Sequence, residues 1–263
     1  MSIFRSVWMI INYKTIIVAA LAIGSIYFCR YYNLHAEFPL TLVGIAIVFP
    51  VVFSIDSAYK RRERALNYLA DMKAHMTSIY LAARDWEGAN EAFSNEVQEM
   101  LIDLYKSVGK FLIHGDPDDM KREGKIVKRI SKLSSKLQEF RSLGLQAGEV
   151  SRSNQYISKI LVDVENIKMI LKYRTPVTLR AYSKVFIYSF PLIYGPYFVA
   201  VSESYHPLLV FVMPLLFSFI LVSLDNIQMH LENPFDQVGE DDIKLDDLDI
   251  RIAIGAGRGQ VEA

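Results

Sequence analysis

Cysteine is almost absent from this sequence: of 263 residues only Cys29 carries a thiol. No internal disulfide framework can form, and a thiolate metal site cannot be built from one ligand, so packing is the role expected of Cys29. Net charge is absent too, since 29 basic residues are matched by 29 acidic ones. The overall balance therefore gives no reason to expect nucleic acid as a partner. The histidines, at 35, 75, 114, 206 and 230, lie too far apart to show a metal-ligand spacing. No G-x-S-x-G elbow, phosphate loop or nucleophile-base arrangement is found, and an enzyme is not expected. The glycine-rich stretch Gly255 to Gly259 has no helix pattern after it and reads as a flexible tail. The N-terminal region lacks the small-residue cleavage pattern of a signal peptide and reads as a retained anchor, because Arg5 and Lys14 precede an apolar run that ends at Cys29-Arg30-Tyr31-Tyr32.

What the chain has in quantity is apolar surface gathered into blocks. Hydrophobic residues make up 52% of it and aromatics 12%, and the mean hydropathy is +0.20. The first run, Thr15 to Phe28, is extended by Tyr31 and Tyr32, which suit a membrane interface. The second, Phe38 to Ile55, is uncharged, contains Pro39 and Pro50, and reaches the roughly 18 residues expected of a spanning helix. Two more, Val185 to Val201 and Pro207 to Leu224, follow a long polar stretch and carry Pro191, Pro196, Pro207 and Pro214 with Gly195. Membrane helices tolerate such residues, and kinked or broken helices are predicted there.

Orientation follows from the basic residues that flank these runs. Arg5 and Lys14 precede the first; Lys60, Arg61, Arg62 and Arg64 follow the second; Arg174, Arg180 and Lys184 precede the third. Positive charge favours the cytoplasm, so the polar middle and both termini are expected there. The middle repeats apolar residues at helical period: Leu66, Leu69, Met72, Met76 and Ile79; then Val97, Leu101, Leu104 and Val108; then Ile126, Ile130, Leu133 and Leu137; then Ile157, Ile160, Val164 and Ile167. Gly115-Asp116-Pro117 is a breaker, with Asp116 or Asp118 as the expected cap of the next helix. The predicted class is all-α: an integral membrane protein with four transmembrane segments and a cytoplasmic helical domain. Its parts are 1–56 (a hairpin whose second helix is 38–55), 57–183 (cytoplasmic helices), 184–226 (a second hairpin) and 227–263 (an acidic tail).

Two segments at opposite ends of the chain resemble the bestrophin family. The first is Gly44-Ile45-Ala46 through Phe53, followed by Ser54-Ile55-Asp56-Ser57-Ala58-Tyr59-Lys60-Arg61. It is similar to the family's pore helix and cytoplasmic exit, with Ser54-Ile55-Asp56 standing where Arg-Asn-Asn is often found. The second is Ser223-Leu224-Asp225-Asn226-Ile227, then Glu232-Asn233-Pro234-Phe235, then Gly239 to Asp246. It resembles the end of the last membrane helix and the Pro-Phe plus acidic motif, here separated by Asp236-Gln237-Val238. Arg174-Thr175-Pro176 to Tyr182 resembles the proline-containing approach to the third membrane helix.

The resemblance implies an ion channel, assembled as a homo-pentamer in the cell membrane, passing chloride or another small monovalent ion. It places a pore neck at Ile45, Phe49 and Phe53 and a second, cytoplasmic constriction near Val177. On a helix the three neck positions form a stripe with about 6 Å of rise per step. Spacing alone also allows this stripe to pack against neighbouring helices, and it leaves Val43, Ile47 and Val51 as an alternative face. The acidic residues Glu240, Asp241, Asp242 and Asp246 offer oxygen ligands for calcium, by analogy with the family, although they lack the loop of an EF-hand and acidic tails are usually solvated. No cofactor is required. One chain has too few spans to enclose a wide pore, so a pore requires an assembly. The rival reading is a membrane-anchored signalling or scaffold protein whose cytoplasmic helices bind a protein partner.

Overall fold

The computed structural model describes residues 12–37, 40–86, 90–114, 116, 118–174, 176–202, 206, 208–238, 242–246 and 248–255. Among these the secondary structure is helical throughout: α1 (Tyr13–Tyr31), α2 (Leu40–Asp85), α3 (Glu91–His114), α4 (Met120–Leu137), a 3-10 turn (Gln138–Arg141), α5 (Ala147–Lys172), α6 (Val177–Ser202), α7 (Leu209–Glu232) and α8 (Leu248–Ala253). The chain divides into two compact units, Met1–Lys60 with Thr175–Glu232 and Arg61–Arg174 with Asn233–Ala263. The apolar runs mark where the sequence changes character, whereas the boundaries of compactness fall after Lys60 and Glu232, later than the ends of those runs, and before Thr175, earlier than the start of the third. Helix α2 explains one of these differences, because it continues for 46 residues without a break. Nothing between Ile55 and Arg64 interrupts the helical period, and Arg61 and Arg64 lie in the second unit.

The first unit is built from α1, the opening of α2, α6 and α7. Three helical segments among the described residues are long and apolar enough to cross a membrane: α1, the segment ending at Val201 that contains α6, and α7. The start of α1 is fixed by Asn12, whose side chain accepts from Lys14 N while Thr15 caps in return. Of the kinked or broken helices predicted at the prolines of the second hairpin, none is broken at Pro191, Pro196 or Pro214, since α6 runs through the first two and α7 through the third, as α2 runs through Pro50. Proline costs one backbone hydrogen bond within a helix, and tertiary packing here outweighs that loss. The core gathers Ile47 and Val51 of α2 with Ile187, Phe190 and Tyr194 of α6 and Leu221 and Val222 of α7. Helices α1 and α6 approach closely at Gly195, where an added Cβ would lie 2.2 Å from Ser25 Oγ and 3.1 Å from Cys29 Sγ.

The second unit is a helical bundle around its own apolar core. Each predicted stripe is buried: Leu69, Met72, Met76 and Ile79 from α2, Val97, Leu101 and Leu104 from α3, Ile126, Ile130 and Leu133 from α4, and Ile160 and Ile167 from α5. Burial of each such side chain contributes about 2 kcal/mol, which is what holds helices of mixed composition together. The cap of α4 is Asp119, whose carboxylate accepts from Lys121 N and Arg122 N; neither Asp116 nor Asp118 fills that role. Asp116 instead accepts from Asp118 N within the turn. Gly144 adopts a φ of 88° between the 3-10 turn and α5, a conformation that favours glycine. At the end of α5 the Arg61 guanidinium donates to the Ile170 carbonyl, satisfying an acceptor that the helix leaves open.

Candidate pore-lining site and its anchoring contacts

On α2 the two apolar faces that spacing leaves open have different fates. Ile47 and Val51 are 2% and 0% exposed, locked into the core of the first unit. Ile45, Phe49 and Phe53 are 48%, 54% and 60% exposed, so within one chain this stripe is uncovered. The rings of Phe49 and Phe53 stand 6.0 Å apart, in line with one helical turn of separation. Nothing is described of the Val43 side chain. An apolar stripe with its reverse face firmly packed is a rigid surface, and it is open to a pore lumen, to lipid or to other copies of the chain.

The polar exit of this stretch is also ordered. Ser54 is fully buried, and Asp56 and Lys60 form an exposed i,i+4 ion pair at 2.6 Å. Val177 opens α6 as its first residue and is 70% exposed. Among the acidic tail residues, Glu240 and Asp241 lie outside the described residues, whereas Asp242 and Asp246 flank Ile243, which is buried in the second unit. No group of three or more metal-ligating side chains converges among the described residues.

The motif around Asn233-Pro234-Phe235 has a mechanical explanation. Phe235 is fully buried in the core of the second unit, Pro234 O accepts from Ile243 N at 2.8 Å, and Asn233 donates to Asp236 at 3.1 Å. The ring is a plug, and one backbone bond with one side-chain bond closes the turn that carries it.

Sequence reading missed the polar contacts that tie the helices of the first unit together. Lys14, at the start of α1, reaches Asp225 of α7 at 3.3 Å, and both side chains are buried. Beside this pair the α1 cap Asn12, two residues before Lys14, donates from Nδ2 to Asn226 Oδ1, one residue after Asp225, at 2.8 Å. Further along, Arg180 of α6 meets the buried Glu232 of α7 at 3.1 Å. A signal for the first pair was present in the sequence: a lysine stands just before the first apolar run and an aspartate just after the last.

No protein-family model and no curated protein matches this sequence. Solved structures do match its fold. A point variant of a bacterial Bestrophin homolog from Klebsiella pneumoniae aligns with a TM-score of 0.79 at 17% identity, covering 94% of this chain and 98% of that one. Another variant of the same protein aligns with a TM-score of 0.79 at 17% identity over 99% of both chains. The structure of that homolog phased on zinc aligns at 0.76 and 16% identity, covering 92% of this chain and 98% of the other. The chain therefore has the fold of the bacterial bestrophin homologs, and that fold together with the apolar helices supports a membrane location.

Proposed function

We propose that this chain is the subunit of a bestrophin-type ion channel: a homo-pentamer in the cell membrane, crossing it several times with both termini cytoplasmic, which passes chloride or another small monovalent ion. The observation that carries the proposal is the uncovered stripe Ile45, Phe49 and Phe53 on a helix whose opposite face is buried. Copies arranged around an axis would stack these side chains as apolar rings. A narrow apolar ring makes it unfavourable for an ion to keep its hydration shell, so the passage gates by dewetting. A passive membrane anchor would turn such a stripe to lipid, so ion flux is what separates the channel from a scaffold.

In this reading Pro50, which removes one hydrogen bond between the turns carrying Ile45 and Phe53, is where α2 yields when the neck widens. Val177, exposed at the start of α6, lines the second constriction. Apolar rings carry no sign, so selectivity must come from elsewhere in the path. The test is ion flux from liposomes holding the purified protein, followed by reversal potentials across a salt gradient. Flux no greater than that of empty liposomes would refute the proposal.

A further inference from the structure

Helix α4 carries far more positive charge than its fold uses. Its cations are Lys121, Arg122, Lys125, Lys128, Arg129, Lys132 and Lys136, against the single acid Glu123. Some are neutralised: Arg122 pairs with Asp119 at 2.5 Å, Arg129 with Asp103 at 2.6 Å, and Lys136 with Glu96 at 2.5 Å and Glu139 at 2.8 Å. The remaining four, Lys121, Lys125, Lys128 and Lys132, are exposed and form no ion pair among the described residues. Their spacing of four, three and four residues puts all of them on one stripe, a rail about 16 Å long.

Like charges three and four residues apart repel and weaken a helix. No acid is interleaved along this stripe. An arrangement that costs stability without relief inside the fold points to relief from outside it. The inner half of the rail, Lys128 and Lys132, also walls a groove of about 690 Å³ shared with Met100 and Asp103 of α3. The carboxylates of that groove, Glu96, Asp103 and Glu139, are the ones already paired with Lys136 and Arg129.

We infer that this rail and groove form a docking surface for an acidic polypeptide segment. Charge complementarity selects an anion, and the groove selects its form. A flat bilayer cannot enter a groove, and α4 exposes only Met120 and Val127 as large apolar side chains, too few for an inserting face, because Ile126, Ile130, Leu133 and Leu137 are buried in the core. Nucleic acid is disfavoured because the groove has no aromatic side chain on which a base could stack. An extended peptide with acids at alternate positions places carboxylates every 6 to 7 Å or so, close to the pitch of the lysines. The inference stands on the second unit alone and does not depend on channel activity.

The experiment uses the full chain in phosphatidylcholine nanodiscs and a fluorescent peptide of alternating glutamate and serine, read by anisotropy. The unaltered protein is expected to bind it, to release it as salt is raised, and to ignore a lysine-serine peptide of the same length. The variant Lys125→Gln, Lys128→Gln, Lys132→Gln is expected to bind at least about tenfold more weakly with unchanged helix content, while Lys110→Gln on the exposed face of α3 binds as before. Absence of binding by the unaltered protein, or equal binding by the triple variant, overturns the inference. Tighter association with phosphatidylglycerol vesicles than with the peptide, lost in the triple variant, overturns it in favour of a lipid surface.

Discussion

Replacing Phe53 by alanine separates a pore-facing stripe from one that merely packs. Phe53 and Phe49 are each more than half exposed within the chain, so truncating either should cost the fold less than about 1 kcal/mol. The effect on permeation should be much larger. A phenylalanine presents about 150–250 Å² of surface, and the exposed share leaves roughly 100 Å² per copy facing whatever fills the axis. At about 25 cal/mol per Å² that is about 2.5 kcal/mol per copy opposing a wetted neck. If only about 1.4 kcal/mol from a whole ring enters the barrier to ion passage, removing the ring raises the rate about tenfold. Planar-bilayer recordings of Phe49→Ala and Phe53→Ala should therefore show higher conductance or open probability. Val51→Ala serves as the control, because it hollows the core on the opposite face, should cost about 1–3 kcal/mol of stability, and should leave the permeation path intact. Unchanged currents in both phenylalanine variants, or a gain confined to Val51→Ala, would refute the reasoning.

Lys14→Ala leaves Asp225 buried without its partner and should destabilise the protein by about 3–5 kcal/mol in detergent melts, whereas Lys14→Met with Asp225→Leu should recover most of the loss. Gly195→Ala forces a Cβ against Ser25 and Cys29 and should cost about 1–3 kcal/mol, with partial relief when Ser25→Ala removes the nearest atom. In the second unit, burial holds the Asp163 carboxyl above its usual value, against the opposing pull of the hydrogen bond from His75 at 2.7 Å. A raised value means that the stability it contributes is fully present below the ordinary carboxylate range and is lost as pH rises through the raised value. Thermal melts across that window should fall with rising pH in the unaltered protein and flatten in Asp163→Asn.

Much of the fold was legible because helices announce themselves by period and spans by uncharged length. The stripes of α3, α4 and α5 needed only a 3.6-residue pattern, and burial confirmed them position by position. The cap at Asp119 was missed by a single residue, since three aspartates precede α4 and only geometry distinguishes which one reaches two backbone N–H groups. The face of α2 was not legible from spacing: Ile47 and Val51 are as apolar as Ile45, Phe49 and Phe53, and only contacts with Val18 of α1 and with α6 and α7, more than a hundred residues away, bury one set and leave the other. Pairs such as Lys14 with Asp225 are invisible to local patterns for the same reason. Phe235 stood out as part of a motif, but its work as a plug under Pro234 became visible only in the packed unit.

The central claim, that α2 turns Phe53 toward a conducting passage, is tested most directly by a thiol introduced there. In a Cys29→Ala background, which removes the chain's one native thiol, a charged, water-soluble thiol reagent should block the current of Phe53→Cys rapidly and leave that of Val51→Cys untouched. Full current persisting in Phe53→Cys after mass spectrometry confirms its modification would contradict the account.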